Sequence, residues 1–159
     1  MAASQWVMLV YRLPRTPSTP RITLWRKLRR LGVAQIVDGV VALPADRDNR
    51  EQLEWLAEDV VQVGGEATIW LSQPATAAQH RALAEAMTAR LDAEYREIAA
   101  QARTAERCPP VERRRTLARL RRDLRRVGAR QYFPTDEAHA ARDAVEGLAK
   151  AAAEAEAAA

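Results

Sequence analysis

The sequence is poor in the residues that metal-based and covalent chemistry require. Among 159 residues there is one cysteine, Cys108, and there are two histidines, His80 and His139, so neither a disulfide framework nor a thiolate–imidazole zinc site is expected. No phosphate-binding loop and no GxGxxG motif occurs, and Cys108 has no candidate base beside it. We therefore predict that the chain is not an enzyme and carries no cofactor and no metal.

Long apolar runs are also lacking. No stretch approaches 18 apolar residues, which is the length that a transmembrane helix needs. The apolar run near the N-terminus is interrupted by Arg12 and Arg15, which does not fit a secretory signal. We expect a cytoplasmic protein with no membrane partner.

Lysine is scarce, whereas arginine is abundant and clustered. Only two of the 25 basic residues are lysine. Residues 1–32 carry a net charge of +7, residues 33–72 carry −6 and residues 109–130 carry +7. A genomic codon bias explains the arginine-to-lysine ratio equally well, but it does not explain the clustering. Because guanidinium groups bind phosphates in a bidentate manner, the clusters favour a polyanionic partner, above all DNA.

A short apolar segment and an amphipathic helix open the chain. Residues 5–13 (QWVMLVYRL) are apolar and rich in β-forming residues, which predicts a buried strand. We predict that Thr19 caps a helix with Pro20 in its first turn and Gly32 after its end. The inward face is expected to hold Leu24, Trp25, Leu28 and Leu31.

The pattern then continues with a hairpin, a helix and a strand. Two β-branched runs flank Asp38-Gly39, which predicts a hairpin with a type I′ turn. An acidic amphipathic helix over 46–63 and a strand over 66–71 follow. The element order over residues 5–72 is therefore βαββαβ, which predicts an α+β fold with a ferredoxin-like sandwich, four antiparallel strands with two helices on one face.

The remainder of the chain, residues 75–159, is predicted to be a helical extension that packs on the sandwich or on a second subunit. Its helices are expected over 75–107, 111–128 and 136–155. Pro109-Pro110 separates the first two, and Thr135 is predicted to cap the third. The alanine-rich end of the third helix has little to bury, and we expect it to fray.

All seven basic side chains of residues 1–32 lie in one segment without an acidic residue. They repel one another unless a partner neutralises them, and each arginine that meets a phosphate releases counterions. We predict that they bind DNA; the alternative is pairing with the acidic helix 46–63 or with another subunit. This first basic cluster comprises Arg12, Arg15, Arg21, Arg26, Lys27, Arg29 and Arg30.

Four arginines of the helix 111–128 recur at helical spacing, opposite a narrow seam of apolar residues. The seam comprises Leu117, Leu120, Leu124 and Val127. A seam backed by a continuous basic stripe suits a phosphate backbone. One alternative is that the helix binds an anionic membrane, which is disfavoured because no aromatic residue anchors the apolar side. Another is that it binds in a calmodulin-like groove of a partner protein. A third is that the stripe is a solvated face paired with neighbouring helices. This arginine stripe comprises Arg115, Arg119, Arg122 and Arg126.

Several short motifs resemble a known family. They are Y-R-x-P at residues 11–14, W-R-x-L-x-x-L-G at 25–32, D-G-V at 38–40 and G-G-E-A at 64–67. Over about residues 5–100, the chain resembles the N-terminal domain of the ChrB-type chromate-resistance regulators. The resemblance implies a transcription factor that binds promoter DNA through the first basic cluster. The chromate-responsive C-terminal half of that family is not matched, so the resemblance does not imply chromate sensing here, and the arginine stripe lies outside the matched part.

Three hypotheses about function follow. The first is a DNA-binding transcriptional regulator, whose expected partners are the promoter of a metal- or oxyanion-resistance operon, a second copy of the chain and a separate sensor protein. The second is a non-catalytic assembly protein whose arginine faces pair with an acidic partner. The third, a nuclease like the small CRISPR integration subunit, would require a carboxylate at the end of the first strand, where the chain has Tyr11-Arg12-Leu13.

Overall fold

The computed structural model describes residues 5–159, which form four strands and five helices. These elements are β1 (Trp6–Arg12), α1 (Thr19–Leu31), β2 (Ala34–Val37), β3 (Val40–Pro44), α2 (Arg47–Gln62), β4 (Glu66–Ser72), α3 (Ala77–Ala105), α4 (Pro110–Gly128) and α5 (Asp136–Ala157). The chain divides into two compact units, the first ending at Met87 and the second comprising Thr88–Ala159.

The strands of the first unit form one antiparallel sheet in the order β2-β3-β1-β4. Central strand β1 places Met8 opposite Ala42 of β3 and opposite Trp70 of β4. Helix α2 packs against β1 and β4 and also contacts α1. The predicted α+β class with a four-stranded antiparallel sheet is confirmed.

Alternation along the strands positions the core of this unit. Val7 and Leu9 of β1 and Val41 and Leu43 of β3 are completely buried, as expected for inward-facing positions with a period of two. Leu24 and Leu28 of α1 and Leu53, Leu56 and Val60 of α2 supply the buried residues of the two helices.

Helix α1 differs from the prediction in two respects. Ser18, not Thr19, precedes the helix, and its side chain makes no capping hydrogen bond. Trp25, predicted to face inward, is 54% exposed, because at about 100° per residue it points well away from the buried Leu24. Gly32 ends the helix in the left-handed conformation, with φ of 73°, as predicted.

The hairpin between β2 and β3 forms as predicted, but its turn is not type I′. That turn requires positive φ at both central residues, whereas Gly39 has φ of 79° and Asp38 has no positive φ. The register shifts between Gln35 and Val37, and the Gln35 side chain donates a hydrogen bond to the Val37 carbonyl at 2.6 Å. Val37 still pairs with Val40, so Asp38-Gly39 forms a two-residue turn in which only Gly39 takes a left-handed conformation.

The second unit is held together by the seam predicted on α4. Leu117, Leu120 and Val127 are buried and Leu124 is partly buried, and α4 packs along α5. Tyr95 of α3 is completely buried in the same cluster. Its hydroxyl donates a 2.6 Å hydrogen bond to Gln131 Oε1.

The end of α5 has little to bury, as predicted: of residues 151–159, only Ala152 is buried and six are exposed. The helix nevertheless continues to Ala157. Arg113 donates a 2.9 Å hydrogen bond to the Ala151 carbonyl, and Arg114 forms a 3.2 Å ion pair with Glu156. Two arginines of α4 therefore bond to the end of α5, a contact that the local sequence does not reveal.

Tyr95 gives the stability of this unit a dependence on alkaline pH. Burial raises the pKa of Tyr95 above 10.0, and Asp92 and Glu94 add to this effect against Arg142 and Arg130. The unfolded chain therefore loses this proton first, so the stabilisation is complete below about pH 10 and is lost as the pH rises through the folded-state pKa. We expect Tyr95→Phe to cost about 1 kcal/mol at neutral pH, because the hydrogen bond to Gln131 is lost.

The same variant should flatten the decline of stability above pH 10. Urea unfolding followed by far-UV circular dichroism at neutral and alkaline pH measures both effects. Tyr11→Phe should flatten the decline in the other unit in the same way, because burial also raises the pKa of Tyr11. If the free energy of unfolding of Tyr95→Phe declines above pH 10 as steeply as that of the unmodified chain, Tyr95 does not cause the decline.

Candidate nucleic-acid interface

The first basic cluster lies entirely within the first unit, and all seven side chains are exposed. Arg12 ends β1, and Arg15 lies in the segment that connects β1 to α1. The other five members are on α1: Arg21, Arg26, Lys27, Arg29 and Arg30. The whole cluster therefore lies on the end of β1, the segment after it and α1, which are continuous in the chain.

The acidic segment 33–72 neutralises only a small part of this cluster. Lys27 pairs with Asp59 of α2 at 2.7 Å, and Arg12 pairs with Glu66 of β4 at 2.7 Å. Both pairs are exposed, and pairs of this kind contribute little to stability. Among the described residues, no carboxylate forms an ion pair with the other five members of the cluster, Arg15, Arg21, Arg26, Arg29 and Arg30. Internal pairing therefore explains two of the seven charges.

An aromatic ring lies within this basic surface. The Arg29 guanidinium lies over the Trp25 indole, 4.8 Å from the ring centroid, which is cation–π geometry. Sequence reasoning missed Trp25 as a surface residue because it assigned the ring to the core. The available signal was its angular offset from Leu24 and its position directly before Arg26.

Tyr11 lies at the edge of this surface. Burial raises the pKa of its phenol, and Asp38 raises it further while Arg21 lowers it. The phenol is therefore neutral at physiological pH. Arg21 is close enough to act on it electrostatically while its own side chain stays exposed.

The arginine stripe is also exposed along its whole length, but it is partly paired. Asp123 forms ion pairs with Arg119, at 3.4 Å, and with Arg126. Arg115 and Arg122 form no ion pair with any residue in the range 5–159. Two of the four predicted contacts are therefore available without breaking an existing pair.

Other arginines of the same segment have structural roles. Arg113 donates hydrogen bonds to the carbonyls of Ala151 and Cys108, and Arg114 pairs with Glu156. Arg130 forms a bidentate pair with Glu94 at 2.7 and 2.8 Å, and this hydrogen bonding raises the Arg130 pKa. The alternative of pairing with neighbouring helices thus describes these three residues rather than the stripe.

Residues 5–159 contain neither a metal site nor a membrane-spanning helix. No group of three His, Cys, Asp or Glu side chains there is arranged to hold a metal ion. None of the helices in this range is long and apolar enough to cross a bilayer. His80 accepts a 3.1 Å hydrogen bond from the Trp6 indole, and the Cys108 thiol lies 3.8 Å from the Thr104 carbonyl.

The fold and this surface define a class: a small α+β unit that presents an arginine-rich helix and is followed by a helical unit. The family "Protein ChrB, N-terminal" matches residues 21–107, which is more than half of the chain. The chain therefore belongs to this family, and the predicted resemblance is confirmed. The matched range contains the five α1 members of the first basic cluster and excludes Arg12, Arg15 and the arginine stripe.

A curated relative agrees with this assignment. The chain is 33% identical over 88 residues to Protein ChrB of Cupriavidus metallidurans, a match that covers 52% of this chain and 26% of the relative. The match thus spans about a quarter of the relative's length. No solved structure matches the chain.

Proposed function

We propose that the protein is a DNA-binding transcriptional regulator of the chromate-resistance type, and that the first basic cluster contacts the promoter. The observation that carries this proposal is the exposure of five arginines without an ion-pair partner among the described residues: Arg15, Arg21, Arg26, Arg29 and Arg30. The family assignment supports a regulatory role, and four of the cluster's six arginines lie in the matched range.

The charge arrangement explains how such a surface would bind. A guanidinium that is already paired must give up its partner before it meets a phosphate, whereas an unpaired one does not. Each phosphate that is neutralised releases condensed counterions, so log K should fall by about 0.9 per contact for each unit of log salt concentration. This term positions the protein on DNA but does not select a sequence.

Sequence selection must come from other contacts. The exposed side chains of α1 are arginine-rich and do not include an asparagine or a glutamine, the residues that read adenine in the major groove. We therefore expect selection by DNA shape and deformability, with few direct base contacts.

We also infer that residues 5–72 form a ferredoxin-like sandwich. The order β2-β3-β1-β4 and the antiparallel pairing of each neighbouring pair support this, because the βαββαβ pattern places β1 between β3 and β4. In this proposal the protein is non-catalytic and cytoplasmic, and it acts as a homodimer together with a separate sensor protein at an oxyanion-resistance operon.

The second candidate function is a helical assembly protein whose arginines pair with acidic groups. The observation that favours it is the pairing within the second unit, where Arg96 meets Glu137 at 3.1 Å and Arg114 meets Glu156. These pairs already occupy the arginines concerned. The unpaired arginines of α1 favour the first candidate.

A competition assay tests the regulatory proposal. Labelled DNA from upstream of the protein's own gene is titrated in a mobility-shift assay and challenged with unlabelled upstream DNA or with a shuffled sequence of equal composition. If the protein is a regulator, unlabelled upstream DNA should displace the labelled DNA at a lower concentration than the shuffled sequence does. Equal competition by both would contradict a regulatory role and leave only non-specific binding.

The arginine stripe is predicted to reinforce this binding. Reversing Arg115 and Arg122 to glutamate should weaken DNA binding about tenfold and reduce the salt slope by about 2, since two phosphate contacts are removed. The matched control reverses Arg103 and Arg107, exposed arginines near the end of α3 that form no ion pair with a described residue. Unchanged affinity and slope in the stripe variant would exclude the stripe from the interface.

A further inference from the structure

The outer face of α1 exposes an apolar pair in addition to its charges. Trp25 is 54% exposed and Ile22 is 48% exposed. The core-facing side of the same helix is already supplied by Leu24 and Leu28, which are buried. Exposed apolar side chains are common on protein surfaces, and Trp55 and Trp70 are exposed to a similar extent. What distinguishes the pair on α1 is the charge around it.

Arginines surround this pair. At about 100° per residue, the order around the helix is Arg21, Trp25, Arg29, Ile22 and Arg26, and these five side chains fall within about 140°. The Arg29 guanidinium lies over the Trp25 ring, while Arg21 and Arg26 have no ion-pair partner among the described residues. The apolar pair is therefore enclosed by positive charge.

This charge limits what can cover the patch. A second copy that presented the same face would bring two arginine-rich surfaces together, and like charges in contact are repelled. A neutral apolar partner would leave the arginines without counterions. The arrangement fits a partner that has flat apolar surfaces directly beside regularly spaced negative charges. Nucleic acid is such a partner, because its bases lie beside its phosphates.

We infer that Trp25, flanked by Ile22, stacks on nucleobases of the nucleic acid that the surrounding arginines hold by its phosphates. This inference rests on the proposed function and deepens it. The ligand is a nucleic acid with accessible base faces, either a strand whose bases are unstacked or a duplex step opened by an inserted apolar side chain. A polyanion without bases should gain nothing from Trp25.

The test compares ligands with and without bases. Binding of oligothymidine, of a duplex of random sequence and of inorganic polyphosphate is measured for the full chain and for Trp25→Ala. Base–aromatic stacking predicts that Trp25→Ala weakens oligothymidine binding at least about fivefold, with polyphosphate binding changed less than about twofold. Trp25→Phe should restore part of the lost affinity, because phenylalanine keeps a stacking face.

Trp55 provides a matched control. It is 52% exposed on the acidic helix α2, so Trp55→Ala removes an equally exposed indole and should change no affinity. Equal losses for oligothymidine and polyphosphate in Trp25→Ala would overturn the inference, since Trp25 would then act only by holding Arg29. No loss for either ligand would overturn it as well.

A different result of the same experiment would contradict the proposed function itself. If the unmodified chain binds neither oligothymidine nor duplex at low salt, both the proposed function and the stacking role are wrong. The α1 surface would then fit an acidic protein partner.

Discussion

Replacing Arg26, Arg29 and Arg30 with glutamate is expected to lower DNA affinity at least about 100-fold, because hydrogen bonds to charged groups contribute about 1.5–3 kcal/mol each. The reversed charges also repel phosphates. The melting temperature should change little, since all three side chains are exposed and none forms an ion pair with a described residue. Fluorescence anisotropy with labelled duplex and a thermal melt measure the two effects.

The control for this variant carries the same change in net charge. Arg81, Arg90 and Arg103 of α3 are exposed and form no ion pair within the described part of the chain. Their replacement by glutamate should reduce affinity only through the general field of the protein. Equal losses in the two triple variants would show that net charge, rather than the α1 surface, determines binding. A large loss of melting temperature in the α1 variant would show that its arginines are structural.

Gly65→Ala is expected to destabilise the first unit by about 2–3 kcal/mol, at the upper end of the cost of overpacking. An added Cβ would lie 2.5 Å from the Arg12 carbonyl oxygen, 2.7 Å from Val60 Cγ1 and 2.9 Å from the Val60 carbonyl oxygen. Two of these atoms are backbone, so the end of β1 or of α2 must move. Because Arg12 belongs to the first basic cluster, the same strain displaces one edge of the interface.

The neighbouring glycine is the control. Gly64 has φ of 85°, and an added Cβ would meet only Pro14 Cγ at 3.9 Å. Gly64→Ala should therefore cost about 1 kcal/mol, the strain of a left-handed alanine. Urea unfolding followed by tryptophan fluorescence reports on the first unit alone, because all four tryptophans lie before residue 88. A Gly65→Ala variant as stable as Gly64→Ala would contradict this account of the contact.

Periodic apolar residues, helix-ending glycines, Pro109-Pro110 and the Thr135 cap together predicted the nine elements that the described residues form. Val7 and Leu9 follow the period of a strand, and Gly32 ends α1 as a left-handed residue should. The prediction failed at Trp25, which adjoins Leu24 in sequence and was grouped with the apolar face of α1. Its offset of about 100° from Leu24 around the helix places it outside the part of that face that α1 buries, Leu24 and Leu28.

Tertiary contacts account for the other differences. Gly64 and Gly65 look equivalent in the sequence, but Gly64 has a positive φ and Gly65 is approached by β1 and α2. The alanine-rich end of α5 contains no large apolar residue, yet two arginines of α4 bond to it and Ala152 is buried. Close approach of small residues depends on the partner helix, which a local pattern does not contain.

The sequence predicted where the basic residues of the candidate interface lie, but not which of them form ion pairs. The segregation of charge along the chain identified both arginine-rich segments, and the first basic cluster and the arginine stripe are exposed. Which arginines remain unpaired depends on where Asp59, Glu66 and Asp123 come to lie after folding. The structure thereby separates Arg113, Arg114 and Arg130, which bond to other residues of the second unit, from the arginines available to a partner.

The measurement that tests the central claim most directly is the salt dependence of binding to DNA from upstream of the protein's own gene. Five arginines of the first basic cluster form no ion pair with a described residue, and they predict a linear plot of log K against log salt concentration with a slope of about −4.5 or steeper. A slope near zero, or no binding at low salt, would contradict the claim that this cluster grips the phosphate backbone.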